Sequence, residues 1–398
     1  MEFTIELANQ LLQAVLQLLL NPFYYVGIVL IIYQFHKQIS LERKHFHTRL
    51  HSIVQETWRM LLWGWVCGLF ASLVMAFLGA SIPETFVYLL WGLSMILFLF
   101  RARLFCFAYS IGIIGMLQGI LSLFPQVNEV SSLQWLIQPL EQVSMPALLA
   151  LVGIIHLIEA LLVRTQSWWM AIPIIVNSKR GKSVGGNQLN GFWILPLFLL
   201  VPISSGTPGS LTLPWSPLFS SGLGVEGWGF IALPVVIGFT EISLVYLPKD
   251  KLLKSSNLLL LFAGVLLISA VVSYYWSPFI WIGSLVAIFL HEGLRVYSRL
   301  DEVKRSPLFV NTLQGLKILA VLPGSPAAEL GLLPGEIVHK VNNERVWTKQ
   351  ALYQAMQINP AFVRMEVINL EGHSKFVSKA LYAGDHHQLG MLLSPDVE

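Results

Sequence analysis

The chain has 398 residues, of which 55% are hydrophobic and only 12% carry a charged side chain, and its formal net charge is +3. Soluble globular proteins carry about 25% charged residues, so most of this chain needs no surface that faces water. The small net charge, and the lack of a basic stretch interleaved with aromatic residues, exclude a typical nucleic-acid-binding protein. The composition therefore predicts a large membrane region with one smaller soluble domain.

The N-terminal segment is amphipathic. The first lysine is Lys37, so the basic region of a cleaved signal peptide is missing. Over residues 3–20, polar side chains recur every three or four positions, which places one polar stripe on an apolar helix before Asn21-Pro22 interrupts it. This pattern predicts an interfacial helix or the first arm of a hairpin, and it leaves the side of the N-terminus open. Cys67 and Cys106 both lie in apolar stretches, which favours buried thiols over a disulfide framework.

Apolar stretches follow one another from residue 20 to residue 290. A membrane-crossing helix needs about 20 mainly apolar residues. The sequence predicts eight or nine helical crossings, at 20–35, 60–79, 86–100, 104–123, 146–163, 191–203, 228–247, 257–275 and 277–290. The predicted fold class is an α-helical polytopic membrane domain over residues 1–300, followed by a small α+β domain over residues 301–398.

The basic residues between these stretches alternate along the chain. Lys and Arg occur within 37–59, 101–103, 164–182 and 249–254, whereas 80–85, 124–145, 204–227 and 273–279 contain none. Positively charged loops mark the cytoplasmic side of a membrane. We therefore expect everything after His291 to lie in the cytoplasm.

Strand and turn signals appear after Arg299. The predicted elements are strands at 316–322, 336–341, 362–370 and 374–382, with helices at 327–330 and 348–358. Gly331 suits the left-handed end of the first helix, and Thr348 suits the start of the second. Asn342-Asn343 suits a turn with positive φ, and Asn359-Pro360 ends the second helix.

The run LPGSPAAELGLLPGEIVHKVN, from Leu322 to Asn342, resembles the signature of bacterial PDZ domains. The positions that carry the motif are Gly324, Pro326, Gly331, Pro334 and Gly335. Asn343 departs from it, since such domains often have Gly there, but Asn also tolerates positive φ. The resemblance implies a domain that binds an extended peptide by adding it to a sheet edge beside a helix.

The candidate peptide groove follows from this resemblance. The residues expected to bind peptide are Ile318, Leu352, Tyr353, Met356, Leu389, Gly390 and Met391. The peptide-binding strand is either 308–313 or the run 389–392, which resembles the loop that cradles a peptide carboxylate. The alternative for each apolar residue is that it packs in the domain core and does not contact a peptide.

Histidines in the membrane region raise the question of catalysis. His291-Glu292 is similar to the start of a zinc-protease motif, but Arg295 stands where a second His ligand is required. The Asp-bearing span of membrane proteases that carry a PDZ domain is also missing, because no Asp precedes Asp250. We expect His291-Glu292 to form a polar interface turn at the end of the last span.

Two further groups of ionisable residues are expected to have structural roles. His156 and Glu159 are expected to form helix–helix hydrogen bonds or to reach the interface, rather than to make an ion pathway. The cluster His45, His47 and His51 is expected on a solvated loop helix. The sequence thus predicts no catalytic residue, no metal site and no cofactor. A PDZ-linked membrane protease relative and a small-molecule transporter are the alternatives.

Two N-terminal segments, NPFYYVGIVLIIY from Asn21 and ERKHFHTRLHSI from Glu42, resemble the MinJ family of division-site proteins. The order of parts agrees, with many spans before one PDZ domain. This resemblance implies a non-enzymatic adaptor that bridges a DivIVA-like scaffold to a MinD-like ATPase of the MinC/MinD division inhibitor. It also implies contacts with septal membrane proteins, and a plasma-membrane location enriched at septa and poles. Which surface binds which partner, whether the groove takes a C-terminus, and the oligomeric state are left open.

Overall fold

The computed structural model describes residues 2–46, 52–79, 82–124, 126–127, 130–166, 171–177, 183–203, 210–220, 227–382 and 389–395. The helices before the C-terminal domain are α1 (Glu2–Leu20), α2 (Pro22–Phe46), α3 (Ile53–Leu78), α4 (Glu84–Phe100), α5 (Phe107–Leu123), α6 (Gln134–Glu141), α7 (Met145–Gln166), α8 (Pro248–Tyr275) and α9 (Phe279–Lys304). Three strands lie between α7 and α8: β1 (Ala171–Asn177), β2 (Ser183–Ile203) and β3 (Gly227–Ser243).

Several of these helices indicate a membrane protein. Within the described ranges, five are long and apolar enough to cross a membrane: Phe3–Leu20 of α1, and α3, α7, α8 and α9. Two further apolar helices, Thr85–Phe100 and Phe107–Leu123, are shorter. The predicted count of eight or nine helical spans is therefore not confirmed.

Residues 183–203 and 227–243 form the strands β2 and β3, so the prediction of helical spans at 191–203 and 228–247 is wrong. β2 and β3 pair antiparallel from Asn187–Ser243 to Ile203–Gly227. A continuous apolar run fits a buried strand as well as a buried helix, and periodicity alone does not separate them. Pro196 and Pro234, which oppose each other in the hairpin, would each interrupt a helix.

One edge of β2 lies against α3. β1 pairs with β2 only between Ser183 and Leu189, so the later part of β2 has a strand partner on one side only. Gly64 and Gly68 of α3 cover this free edge. A Cβ on Gly64 would lie 2.0 Å from the carbonyl oxygen of Ile194, which only a glycine permits at this spacing.

Side chains from two helices pair with backbone groups at the hairpin edges. One turn beyond Gly68, Ser72 of α3 accepts a hydrogen bond from the backbone N–H of Phe198 on β2. On the opposite edge, Gln10 of α1 accepts one from the N–H of Phe230 on β3, at 3.2 Å. Because an unpaired backbone group in an apolar environment is costly, these contacts allow an open hairpin among apolar helices.

The interior of the membrane region is centred on α7, which is buried along nearly its whole length. α8 packs along α7, and α9 packs on both α8 and α5. α9 runs to Lys304, well past the predicted end of the last span at residue 290. His291 therefore lies inside a continuous helix, so the prediction of a turn at the end of the last span is wrong.

The C-terminal domain is a small α+β unit. Its elements are β4 (Leu316–Val321), α10 (Pro326–Glu329), β5 (Ile337–Val341), β6 (Glu344–Arg345), α11 (Lys349–Gln357), β7 (Phe362–Ile368), β8 (Ser374–Ala380) and β9 (Met391–Leu393). The strand order is β8-β7-β5-β4-β9, and β6 pairs with β5. The structure confirms the strands and helices predicted between 316 and 382 to within a few residues at their ends.

Local signals account for this agreement. Gly331 has φ of 66° at the end of α10, and Asn342 and Asn343 have φ of 49° and 72° in the β5–β6 turn. The side chain of Thr348 accepts a hydrogen bond from the N–H of Ala351 and caps α11. Each of these residues satisfies a backbone requirement that few other residue types meet.

The C-terminal domain is joined to the membrane region by backbone hydrogen bonds. The N–H of Gly185, in β2, donates to the carbonyl of Phe309 at 3.0 Å. The N–H of Leu308 donates to the carbonyl of Leu244, just after β3, at 2.8 Å. The segment between α9 and β4 therefore pairs with the backbone near the ends of β2 and β3.

Candidate functional site

β9 lies at an edge of the C-terminal sheet. It pairs with β4 on one side, through Ile318–Leu393 and Val321–Met391, and no described strand lies on its other side. Segment 308–313, the alternative peptide-binding strand, is engaged elsewhere, because Phe309 bridges to Gly185 of β2. The geometry thus favours β9 as the strand to which a peptide would add.

The two residues that directly precede β9 are held against the body of the domain. Leu389 and Gly390 have φ of 57° and 75°, and their carbonyls accept hydrogen bonds from the N–H groups of Ala327 and Leu322. A Cβ on Gly390 would lie 2.2 Å from the Cβ of Ser325. Residue 390 must therefore be glycine both for its backbone conformation and for space.

The other groove candidates divide into enclosed and partly exposed residues. Ile318, Leu352, Leu389 and Met391 belong to the buried core of the domain. Tyr353 and Met356 of α11 are partly exposed, and Met356 packs on the same core. Ile318 and Leu352 thus support the β9–α11 region from within, whereas a peptide could reach Tyr353 and Met356. Peptide binding by these residues stays a prediction.

The motif residues shape the turns between β4 and β5. Gly324 and Gly335 have φ of 70° and 97°, and Pro326 is the first residue of α10, where it needs no hydrogen-bond partner. Pro334 lies in the turn before β5. These residues build the domain and offer no reactive group.

Two charged side chains of this domain have shifted pKa values. The ammonium of Lys340 on β5 donates to the Glu366 carboxylate on β7 at 2.8 Å, which lowers the pKa of Glu366. Burial lowers the pKa of Lys317, whose ammonium donates to the carbonyl of Leu308. Glu366 also accepts a hydrogen bond from the hydroxyl of Ser374, so its contacts connect β5, β7 and β8.

A second candidate site is a cavity of about 600 Å³ between α2, α5, α7, β3 and α9. Several of its lining side chains are polar, namely Cys106, His156, Glu159, Asn190, Glu241 and His291. The Sγ of Cys106 lies 3.2 Å from Nε2 of His156, and the rings of His156 and His291 are 5.4 Å apart. Phe262 of α8 packs edge-on against His156 and tilted against His291.

Sequence reasoning missed this cluster. Cys106 precedes α5, His156 lies in α7 and His291 lies in α9, so no short spacing connects them. The sequence assigned Cys106 to a buried thiol, His156 to a helix–helix contact and His291 to an interface turn, and the structure brings all three to one cavity. The side chains of His45, His47 and His51 lie outside the described part of the chain.

Close to this cavity, Lys251 forms a buried ion network. Its ammonium lies 3.3 Å from Glu241 of β3 and 3.1 Å from Glu302 of α9, and it donates to the hydroxyl of Ser298. Glu302 also accepts hydrogen bonds from backbone N–H groups just after β3. The network fixes the end of the hairpin to α8 and α9, next to the C-terminal domain.

Comparison with known proteins identifies the C-terminal domain and gives relatives of almost the whole chain. Residues 317–368 match the PDZ domain family. The whole chain is similar to the "Cell division topological determinant MinJ" of Bacillus subtilis (strain 168), with 28% identity over 95% of this chain and 93% of the relative. It is 25% identical to the "Probable cell division topological determinant MinJ" of Lacticaseibacillus paracasei, over 96% of this chain and 98% of the relative. No solved structure matches the chain.

Proposed function

We propose that this MinJ-like chain is a non-enzymatic membrane adaptor that acts in selection of the division site. The observation that carries the proposal is similarity to division topological determinants along almost the whole chain. The C-terminal PDZ domain gives the adaptor a means of binding other proteins.

The adaptor bridges two cytoplasmic partners. In this proposal, a DivIVA-like scaffold marks the septum and poles, and the chain connects it to a MinD-like ATPase of the division inhibitor. A peptide segment of one partner adds to the open edge of β9 and contacts Tyr353 and Met356 of α11. The apolar helices anchor the chain in the plasma membrane and contact septal membrane proteins.

The distribution of basic residues supports a cytoplasmic PDZ domain. β2 and β3 are 21 and 17 residues long, and a strand needs about 10 residues to cross a bilayer. The hairpin can therefore replace two helical crossings without changing the alternation of basic and non-basic loops. Residues 204–226, between β2 and β3 in the chain, contain no Lys or Arg, whereas Lys249, Lys251 and Lys254 lie in the first turns of α8.

Localisation in living cells tests the proposal. The full chain, and a form that lacks residues 306–398, carry a fluorescent fusion, and a MinD-like ATPase is followed in the same cells. Truncation after Arg305 keeps all of α9. We expect the full chain at septa and poles, and the ATPase dispersed when the PDZ domain is removed.

A point variant separates binding from loss of the domain. Tyr353→Asp places a charge on the partly exposed side of α11, and Gln354→Asp places the same charge on its exposed neighbour. Only the first is expected to disperse the ATPase. Uniform membrane fluorescence of the full chain, with the ATPase undisturbed when the gene is deleted, would overturn the adaptor proposal.

A further inference from the structure

We propose that Cys106, His156 and His291 bind one divalent transition-metal ion of the zinc type, inside the membrane region. The sulfur and one nitrogen from each imidazole lie within 4.8 Å of one another. The three residues come from three different parts of the helical bundle, and all line the same cavity. This site is independent of the adaptor function proposed above.

The hydrogen bond of His156 to its own helix prepares it as a ligand. Its Nδ1 lies 2.8 Å from the carbonyl oxygen of Val152. A carbonyl only accepts hydrogen bonds, so Nδ1 carries the proton and Nε2 presents a lone pair. That Nε2 is the atom 3.2 Å from the Sγ of Cys106. Metal-binding histidines are commonly oriented by such a bond from the second ring nitrogen.

His291 is prepared in the same way by Tyr109 and Glu292. The Tyr109 hydroxyl donates its single hydrogen to the Glu292 carboxylate, at 2.8 Å. Nδ1 of His291, 3.0 Å from the same hydroxyl oxygen, must then be the donor of their hydrogen bond. The proton thus sits on Nδ1, and Nε2 is the nitrogen available to a metal. A chain from carboxylate to tyrosine to histidine gives this ligand an outer shell.

The ligand chemistry indicates the kind of metal. One thiol and two imidazoles are typical of zinc, which binds sulfur at about 2.3 Å and nitrogen at about 2.0 Å in a tetrahedron. Those bond lengths place neighbouring ligand atoms about 3.5 Å apart. The three ligand atoms lie within 4.8 Å of one another, so their widest separation must shorten by about 1 Å when the metal binds. On binding, the Cys106 thiol loses its proton and the thiolate bonds to the metal.

Glu159, which lines the same cavity, is the candidate for a fourth ligand. One carboxylate oxygen of Glu159 lies 3.8 Å from Nε2 of His156, close enough to be a fourth ligand after a small rotation or to hold a metal-bound water. Since carboxylate oxygens also bind zinc, the side chain is compatible with either arrangement. A bound ion would connect α7 and α9 with the residue that precedes α5.

Metal content is measured first. The full chain is purified in detergent, without chelator or added metal, and zinc is counted per chain by mass spectrometry. We expect about one zinc ion in the wild-type chain and a several-fold lower content in Cys106→Ser and His156→Asn. Cys67→Ser and His36→Asn, which alter the same residue types elsewhere in the membrane region, are expected to keep the wild-type content.

Cobalt titration tests the site in chains that keep all three ligands, so its result does not depend on whether the ligand variants fold. The wild-type chain and Cys67→Ser are stripped of metal, checked for a single size by chromatography, and titrated with Co²⁺. A thiolate-to-cobalt absorption band that saturates at one equivalent supports the site. A folded wild-type chain with background zinc and no such band overturns it, and leaves Cys106 and His156 as a metal-free hydrogen-bonded pair.

Discussion

The hydroxyl of Ser72, on α3, accepts a hydrogen bond from the backbone N–H of Phe198, on β2, with 2.8 Å between oxygen and nitrogen. The same hydroxyl donates to the carbonyl of Gly68 at 2.7 Å. A helix side chain thus pairs with a backbone group of a strand at a point where β2 has no second strand beside it. This contact helps to explain how a sheet edge exists among apolar helices.

Replacement of Ser72 by alanine tests that contact. We expect Ser72→Ala to lower the free energy of unfolding by about 1–3 kcal/mol, because the N–H of Phe198 loses its partner in a buried place. Thermal unfolding in detergent measures the effect. Ser122→Ala is the control, since the Ser122 hydroxyl bonds only to the carbonyl of Gly119 within its own helix. Equal shifts in both variants would contradict the role assigned to Ser72.

The close approach of α3 to β2 gives a second prediction. Gly64→Ala places a methyl group 2.0 Å from the carbonyl oxygen of Ile194, so helix and strand must separate, at a cost of about 1–3 kcal/mol or more. Gly92→Ala, in α4, is the matched control because its Cβ meets nothing within 4 Å. We expect a lower unfolding temperature for Gly64→Ala only. A neutral Gly64→Ala would show that α3 does not pack on the strand edge.

The buried ammonium of Lys251 supports a third prediction. Lys251→Ala leaves the carboxylates of Glu241 and Glu302 without their shared cation, which we expect to cost about 3–5 kcal/mol. Thermal unfolding of the full chain checks this loss. Lys304→Ala, at the exposed end of α9, is expected to change stability by less than about 0.5 kcal/mol. Wild-type stability of Lys251→Ala would mean that the network contributes little.

The loop before β9 gives a fourth prediction. Gly390→Ala both strains a backbone with φ of 75° and presses a methyl group against Ser325, so we expect it to destabilise the PDZ domain by more than 2 kcal/mol. Gly372→Ala shares the positive φ but meets nothing within 4 Å, and about 1–2 kcal/mol is expected. Protease resistance of the PDZ domain within the full chain, titrated with urea, compares the two. Equal resistance would contradict the contact with Ser325.

Sequence reasoning succeeded where local chemistry determines the structure. In the PDZ domain, Gly331, Asn342 and Thr348 each meet a requirement of the backbone at their own position, so the turns and caps can be read in order. The strand order and the edge position of β9 depend on contacts between distant segments. The sequence therefore left two strands open as the peptide-binding edge.

The membrane region was harder to predict because its decisive contacts are remote. Residues 191–203 carry the same apolar signal in a helix or in a strand, and what selects the strand is its pairing with β3 and the cover from Gly64 and Ser72. The cluster of Cys106, His156 and His291 likewise depends on three helices packing together. In both cases the contact partners lie far apart in the chain, so the local sequence does not indicate them.

The bonds from Gly185 to Phe309 and from Leu308 to Leu244 have a mechanical consequence. A domain on a flexible linker samples a volume whose radius grows with linker length, and it meets its ligands in every orientation. Here the chain leaves α9 and immediately joins the strands of the hairpin, which removes that rotational freedom. A ligand of the PDZ domain would therefore be held in a fixed orientation relative to α8, α9 and the β2–β3 hairpin, and would not sweep through the volume that a flexible linker allows.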